Sequence, residues 1–520
     1  QITQVAGSES KVEGIVLDAL GEEVGRVDAY GRTASAERDA LGRVTKTTNP
    51  KGGHVALAYD AFGNIASVTD ERGGVVRFRY DGRGLPIEEI DALGNRTVYE
   101  YDAAGFPAAI IRPNGARITF DFSSSGRVLA RSALSPAGSK ESQVTLDWNA
   151  AGELVGWNQS AAGVTSSSVM ELDSMGRLLK ETVTVQGTAM VRGYSYDANG
   201  RVSSYTGPDG HRITYRYDGR GSLAGVAIPG QGEISMSRSA TGDASKAIFP
   251  GGTTLDVSFD GFSNISALQV RRPDQTLAFN QESQYGLADE VTLRRTQGRE
   301  VEYQYDEMLR LTRADASRGA DEHYVLDAAG NRIADHVETS DWVYNEANQL
   351  KTRGRLTYEY DDNGNLIRKR DAAATGAAAS VSYVYDAYNR IVEIRDGSDD
   401  VVARYAYDPY GLRIQKETFS SGSVSAVTRY LHGSEGMLAE FDGAGRILQS
   451  YGWEPGGTYG TYPMFLSASG AMYFYHNDPS GRPLLLTDRN GATVWEATAY
   501  TSFGEAIPEG SGTVRQPWRL

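Results

Sequence analysis

The chain lacks cysteine altogether and is poor in several residues that functional sites depend on. Without cysteine, its 520 residues form no disulfide and no thiolate metal site, so stability must come from sheet packing. The absence of cysteine fits an exported or surface protein. There are only six histidines, none of them in a His-x-x-x-His pair, which excludes the helical zinc-protease motif.

Positive charge and long hydrophobic runs are also scarce. Lys and Arg total 52 against 67 Asp and Glu, and the net charge of −15 argues against a nucleic-acid backbone as partner. No run approaches the length of a membrane span. No signal peptide is visible, and the chain opens Gln1-Ile2-Thr3 without an initiator Met, so we expect an internal or processed fragment.

Motifs for catalysis and cofactor binding are missing as well. The sequence has no Gly-Lys-Ser/Thr phosphate loop and no Gly-x-Ser-x-Gly nucleophile elbow. The spacing Gly219-x-Gly221-x-x-x-Gly225 misses the dinucleotide fingerprint by one position and is interpreted as a turn. The sequence therefore predicts no catalytic residue, no cofactor site and no metal site.

Glycine, by contrast, is abundant and regularly spaced. One series recurs with a fixed period, and a second series with the same period falls midway between its members, so a glycine closes each short segment. This regularity identifies an array of repeats. The first series comprises Gly21, Gly42, Gly63, Gly84, Gly105 and Gly126, and the second comprises Gly31, Gly52, Gly73, Gly94 and Gly115.

The segments between glycines alternate in polarity. In Arg77-Phe78-Arg79-Tyr80-Asp81 the rings fall on one face and the arginines on the other, and residues 212–218, 301–306 and 356–361 follow the same pattern. Such alternation is typical of half-buried antiparallel strands. A turn of about four residues leaves strands of about six, so each unit predicts a β-hairpin.

A Tyr-Asp dipeptide precedes many of the glycines. The Asp can bond backbone amides two residues on, and the Gly can adopt a positive φ that costs other residues about 1–2 kcal/mol. The dipeptide starts at positions 59, 80, 101, 196, 217, 305, 360, 385 and 407. Six units give the predicted structural turn residues: Tyr59, Asp60, Gly63; Tyr80, Asp81, Gly84; Tyr101, Asp102, Gly105; Tyr196, Asp197, Gly200; Tyr217, Asp218, Gly221; and Tyr360, Asp361, Gly364.

Three features of the array have alternative interpretations. Residues 222–298 carry a weaker signal and are interpreted as degenerate repeats, with an inserted domain as the alternative. The tyrosine rings are interpreted as cross-strand packing that holds register, with sugar or base stacking as the alternative. The stretch Asp361 to Asn365 faintly resembles a calcium loop but lacks its spacing and is interpreted as a repeat turn.

These Tyr-Asp units resemble the YD repeats of the RHS family, over nearly the whole chain. The closest units are residues 59–64, 196–201 and 360–365. Residues 430–520 are similar to the start of the RHS-associated core, through residues 430–433, 473–478, 483–488, 494–497 and 503–505. Residues 1–429 are then the repeat region. Pro479-Ser480 stands where the family more often has His-Leu.

The resemblance implies an all-β fold, a long spiralling antiparallel sheet that forms a hollow shell. RHS polymorphic toxins and insecticidal toxin-complex B and C subunits use such shells to enclose a C-terminal toxin, and teneurins use a related shell in adhesion. The implied partners are the chain's own toxin domain, an N-terminal plug or secretion component, and an immunity protein. The implied location is secreted or at the bacterial surface, with type VI secretion a common route.

The leading hypothesis is thus a non-enzymatic toxin shell. The aspartyl self-cleavage motif of the toxin families is expected beyond Leu520, and Asp408-Pro409-Tyr410-Gly411, which looks similar, is interpreted as another repeat turn. The alternatives are a surface adhesion or glycan-binding protein, which the Tyr-rich sheet face would serve, and an enzyme with an unrecognised carboxylate pair.

Overall fold

Consecutive strands pair with each other within each of two sheets, because each short alternating segment is joined to the next by a tight turn. The computed structural model describes residues 2–6, 9–239, 242, 244–337, 342–478, 480–497, 501–503 and 511–512. Within these residues the structure has 47 strands, two single 3-10 turns (Pro250–Gly252 and Gly376–Ala379) and no α-helix. Every pairing is antiparallel and joins neighbours in sequence.

The first sheet has 31 strands. They are β1 (Ile2–Ala6), β2 (Glu9–Leu17), β3 (Glu23–Val27), β4 (Thr33–Arg38), β5 (Val44–Thr48), β6 (His54–Tyr59), β7 (Ile65–Thr69), β8 (Val75–Tyr80), β9 (Pro86–Ile90), β10 (Arg96–Tyr101), β11 (Pro107–Ile111), β12 (Arg117–Phe122), β13 (Val128–Leu134), β14 (Lys140–Trp148), β15 (Leu154–Ala161), β16 (Val164–Leu172), β17 (Leu178–Val185), β18 (Thr188–Tyr196), β19 (Val202–Thr206), β20 (Arg212–Tyr217), β21 (Leu223–Ile228), β22 (Gly232–Arg238), β23 (Ala244–Ile248), β24 (Thr254–Phe259), β25 (Ile265–Arg271), β26 (Leu277–Tyr285), β27 (Val291–Thr296), β28 (Arg299–Tyr305), β29 (Leu311–Ala316), β30 (Glu322–Leu326) and β31 (Arg332–Asp335).

The second sheet has 16 strands. They are β32 (Val343–Tyr344), β33 (Leu350–Arg353), β34 (Leu356–Tyr360), β35 (Leu366–Asp371), β36 (Ser380–Tyr385), β37 (Ile391–Asp396), β38 (Val401–Tyr407), β39 (Arg413–Ser420), β40 (Ser423–His432), β41 (Met437–Asp442), β42 (Ile447–Trp453), β43 (Pro463–Ala468), β44 (Ala471–Asn477), β45 (Pro483–Asp488), β46 (Thr493–Glu496) and β47 (Ser511–Gly512).

The ribbon coils so that an edge of its first half meets an edge of its second half. We call residues 9–252 the first coil, residues 253–497 the second coil, and the contacts between them the seam. Pairs along the seam lie 241 to 278 residues apart in sequence. They include Lys11–Asp289, Tyr30–Glu290, Lys51–Asp306, Asp70–Asn348, Asn114–Asn363, Glu141–Ala387, Gln159–Tyr407, Thr188–Arg429 and Asp209–Ser450.

The two glycine series lie on opposite edges of the ribbon, because successive turns of a meander alternate between edges. Turns of the second series hold Tyr30, Lys51, Arg72 and Asn114, and these residues make seam contacts. Turns of the first series in the first coil lie on the other edge. There Leu20, Leu41 and Phe62 are 88%, 77% and 87% exposed.

The principal hydrophobic core lies where two layers of sheet face each other. Side chains of β15 to β23 pack against side chains of β38 to β45, with Tyr451, Phe474 and Leu486 almost fully buried. Strands β5 to β9 are instead mostly half-buried on both faces. Strands β41 to β45 are the most continuously buried part of the chain.

Candidate functional site: the tyrosine–aspartate turn

The Tyr-Asp turn is a hairpin loop closed by its own aspartate. In the first clear example, the amide of Asp60 donates to the carbonyl of Asn64 at 2.9 Å, and the amide of Gly63 donates back to the carbonyl of Asp60 at 3.1 Å. Gly63 has φ +91°, the left-handed conformation that completes a three-residue hairpin loop. The strand pairing shifts register just before Tyr59, which is the accompanying bulge.

In most of the turns both oxygens of the carboxylate are engaged. Oδ1 of Asp197 accepts the amides of Asn199 and Arg201, each at 2.9 Å. Oδ2 accepts Nε of Arg201 at 2.8 Å. This guanidinium holds the pKa of Asp197 below its ordinary value, as Asn64 does for Asp60. The same fifth-position Arg or Asn occurs in the turns of Asp39, Asp91, Asp173, Asp306, Asp327, Asp361 and Asp386.

The tyrosine hydroxyl fastens each unit to the preceding one. Tyr217 Oη donates to the carbonyl oxygen of Val202 at 2.8 Å, at the start of the strand that follows the preceding turn. We call this contact the tyrosine latch. A hydrogen bond of this kind stabilises the fold by about 1 kcal/mol. The latch recurs at Tyr59, Tyr80, Tyr101, Tyr196, Tyr285, Tyr305, Tyr344, Tyr360, Tyr385 and Tyr407.

The arginine of one turn also covers the ring of the next latch. The guanidinium of Arg201 lies 4.3 Å from the ring centroid of Tyr217 while it pairs with Asp197. Arg43 and Tyr59, Arg177 and Tyr196, and Arg390 and Tyr407 repeat the arrangement at 4.3, 4.5 and 4.9 Å. Each of these four units is therefore tied to its neighbour by a carboxylate, a cation and a ring in series.

The six predicted residue triples are spread along the ribbon and do not converge on one site. In each triple the Tyr ends a strand (β6, β8, β10, β18, β20 and β34) and the Asp and Gly form the following turn. The glycines have φ between +81° and +91°. The sequence analysis did not predict the hydrogen bond that the tyrosine hydroxyl donates in the latch. The available signal was the choice of residue, since the chain has 30 Tyr against 14 Phe.

Because most turn carboxylates accept internal hydrogen bonds, few of their oxygens are free to bind a metal ion or another ligand. Asp361 accepts the amides of Asn363 and Asn365 and the side-chain amide of Asn365, so the stretch resembling a calcium loop is internally bonded. No group of three or more His, Cys, Asp or Glu side chains suited to a metal ion occurs in the described part of the chain. Among the same residues, no helix is long and apolar enough to cross a membrane.

The chain matches two family models and several curated relatives. The teneurin YD-shell model matches residues 253–514, and the RHS repeat model matches residues 59–96, 82–117 and 196–231. The chain is 29% identical over 42% of its length to the double-stranded DNA deaminase toxin A of Burkholderia cenocepacia. It is 29% identical over 36% of its length to the tRNA3(Ser)-specific nuclease WapA of Bacillus spizizenii. The probable deoxyribonuclease RhsB of Dickeya dadantii is 25% identical over 66% of the chain.

The chain covers only a small share of these proteins, namely 17%, 8% and 23% of their lengths. Solved structures of similar fold are larger too. A Tc holotoxin pore of Photorhabdus luminescens superposes on 96% of the chain with a TM-score of 0.75 and 15% identity, and the chain covers 30% of it. The TcdB2–TccC3 complex without its hypervariable C-terminal region gives a TM-score of 0.62 at 16% identity, with the chain covering 30% of it.

The predicted fold class, a long spiralling antiparallel sheet of hairpins, is confirmed by the strand pairing and by these structural neighbours. The predicted family is confirmed as well. Because the teneurin YD-shell model spans half of the chain and RHS repeats match within the other half, the protein belongs to the RHS/YD-repeat family.

Proposed function

We propose that this chain is part of the wall of a hollow shell that encloses a toxin segment of the same polypeptide. The observation that carries the proposal is the seam. Two coils of one ribbon join edge to edge through side chains, which is how a ribbon becomes a continuous wall and protects its edges from pairing with other chains.

The relatives support a toxin as the enclosed cargo. Proteins whose names denote a DNA deaminase toxin and nucleases contain a stretch similar to this chain, within a much longer polypeptide. By analogy the cargo follows the RHS core, which we place at residues 430–520 after a repeat region at 1–429. The continuous burial of β41 to β45 supports a change of role near this boundary. Residues 479, 498–500, 504–510 and 513–520 of this stretch lie outside the described residues.

In this proposal the wall has no enzymatic activity, and any self-cleavage motif lies beyond Leu520. Turn carboxylates such as that of Asp197, whose two oxygens both accept internal hydrogen bonds, support this, because general acid–base catalysis needs a carboxyl free to exchange protons with a substrate. An N-terminal plug or secretion component and an immunity protein complete the proposed partners. The protein acts outside the producing cell or at its surface, with a type VI apparatus as the proposed delivery route.

The test uses the full-length polypeptide that contains this chain. Limited proteolysis should leave the segment after residue 520 intact in the native protein. The double variant R72A/G74A, which opens the seam, should make that segment digestible, whereas R220A, on the other edge, should not. Equal digestion of the segment in all three proteins would contradict enclosure.

A further inference from the structure

The turn of Asp408 departs from the repeat at the position that supplies the cation. Oδ1 of Asp408 accepts the amides of Tyr410 and Leu412 at 2.9 and 2.8 Å, as in other turns. The fifth residue, however, is Leu412, where many other turns have Arg or Asn. The turn of Asp81 also has a leucine there, Leu85, but Oδ2 of Asp81 pairs with Arg83 instead. In the described chain, no side chain donates to Oδ2 of Asp408. Arg390 reaches only the backbone carbonyl of Asp408, at 3.2 Å, and its charge pairs with Asp386. Asp408 is only 7% exposed, so its second oxygen is held in a mostly buried position without its usual partner.

The latch that follows this turn is altered too. His432 takes the place of the latch tyrosine, and its Nε2 lies 2.8 Å from the carbonyl oxygen of Arg413. Tyr459 Oη lies 2.8 Å from Nδ1. Nε2 faces a carbonyl oxygen and therefore donates, and burial lowers the pKa of His432, which favours the neutral ring. The imidazole thus supplies no positive charge to balance Asp408.

Between the coils, these residues line a cavity of about 390 Å³. Asp408, Leu412, His432 and Glu435 form the second-coil wall, and strands β15 to β19 form the other. The aromatic side chains that line it are Trp157, Tyr194, Tyr196, Tyr410 and Tyr430.

The charges that line this cavity leave an excess of negative charge. Glu181 pairs with Arg192, so these two neutralise each other. Glu435 accepts a serine hydroxyl and a backbone amide and has no cationic partner among the residues described. Asp408 and Glu435 therefore contribute two carboxylates that no cation of the cavity wall balances.

Neighbouring units show which group lies between a turn carboxylate and the ring of the next latch. In the preceding unit, Arg390 lies 2.6 Å from Oδ2 of Asp386 and 4.9 Å from the ring centroid of Tyr407. In an earlier unit Arg201 bridges a turn aspartate and the next latch ring in the same way. A planar guanidinium is thus the group that the repeat itself places between the turn carboxylate and the next ring.

We propose that this cavity binds an alkylguanidinium, with Asp408 as the carboxylate partner and the surrounding rings as walls. The ligand takes the position that the repeat's own arginine occupies elsewhere. Burial raises the pKa of Asp408 to about 6, which is consistent with a carboxyl that gains from a cationic partner. This site is independent of the proposed enclosure of a toxin, since it needs only the two coils in contact.

Isothermal titration calorimetry on the purified chain tests the site with three probes. Ethylguanidinium and N-acetyl-argininamide should both bind at millimolar concentration, and N-acetyl-lysinamide should bind more weakly because an ammonium lacks the planar fork. Binding of N-acetyl-argininamide at least tenfold tighter than ethylguanidinium would identify a peptide arginine as the natural ligand, and equal affinity a free guanidinium compound.

Three variants test whether Asp408 is the group that binds the guanidinium. Asp408→Asn keeps the turn amides capped and should weaken ethylguanidinium binding at least tenfold, because the charge-assisted bond is lost. Leu412→Arg supplies the repeat's own guanidinium and should abolish binding. Asp60→Asn, in the turn after β6 and outside the cavity lining, should bind like the wild type. If Leu412→Arg fails to fold, Asp408→Asn alone decides. No binding to the wild-type chain, or equal binding by Asp408→Asn, would overturn the proposal.

Discussion

Nη1 of Arg72 donates to the carbonyl oxygen of Asn345 at 2.9 Å, although 273 residues separate them. The same nitrogen lies 2.8 Å from Oδ1 of Asn348, and Nε lies 3.2 Å from Oδ2 of Asp327. In return, Asn348 Nδ2 donates to Oδ2 of Asp70 at 2.8 Å. Here the seam is a reciprocal network in which a turn of each coil satisfies polar groups of the other.

We expect Arg72→Ala to lower the free energy of unfolding by about 1–3 kcal/mol, because it removes hydrogen bonds from a charged donor and leaves their acceptors without it. Urea denaturation measures the change. Arg220→Ala is the matched control, since Arg220 is an exposed turn residue of the first coil on the edge away from the seam. Equal losses in the two variants would show that the seam contributes nothing.

Gly74 tests how closely the coils approach. A Cβ at Gly74 would overlap the carbonyl oxygen of Glu346 in the second coil, whereas a Cβ at Gly82 would meet nothing within 4 Å. Gly74→Ala should therefore destabilise the protein by about 1–3 kcal/mol. Gly82→Ala should change stability by less than about 1 kcal/mol, and in the stabilising direction. Thermal unfolding of both variants gives the comparison, and a neutral Gly74→Ala would contradict the seam geometry.

The tyrosine latch can be tested within one strand, β28. Tyr305 Oη donates to the carbonyl of Val291 at 2.7 Å, and Tyr303, two positions earlier on the same face, makes no such bond to any described residue. Tyr305→Phe should cost about 1 kcal/mol because it leaves a backbone acceptor without its donor. Tyr303→Phe should stay within about 0.5 kcal/mol of the wild type in urea denaturation. Identical stabilities of the two variants would reduce the latch to ring packing.

The buried carboxyl of Asp408 predicts a pH dependence of stability. Burial raises its pKa from the ordinary 3.8 to about 6, so the folded state holds the proton more tightly than the unfolded state. The stability that this gives is complete below about pH 4 and is lost as pH rises through about 6. Since one unit of pKa corresponds to about 1.4 kcal/mol, the total loss is about 3 kcal/mol.

Asp408→Asn should remove this loss while keeping the turn, as Asn49 caps an equivalent turn through the amides of Lys51 and Gly53. The variant should become more stable relative to the wild type as pH rises from about 4 to about 8. Denaturant unfolding of both proteins across that range measures the difference, in which other titrating groups cancel. A difference that stays constant with pH would show that Asp408 does not titrate within that range.

The sequence alone determined the strands and the hairpin turns, because these depend on local chemistry. Alternation in segments such as residues 77–81 places the strands, and the Asp and Gly of each unit define the hairpin turns, because strand facing and turn closure depend on residues only a few positions apart. The all-β hairpin fold follows from the repetition of these local signals, and the family was indicated by the resemblance of the repeated units to YD repeats.

Only the tertiary structure decided which edge of the ribbon forms the seam. It also decided what surrounds a turn whose residues depart from the repeat. Gly31 and Gly42 have the same turn conformation, yet among the described residues the turn of Gly31 contacts the second coil and that of Gly42 does not. In the sequence, Leu412 is only a change of residue at the fifth turn position, but the coiling buries the neighbouring Asp408 against strands of the first coil. The coiling is the sum of a small twist between each pair of adjacent strands. No local sequence pattern therefore encodes which distant turns it brings together.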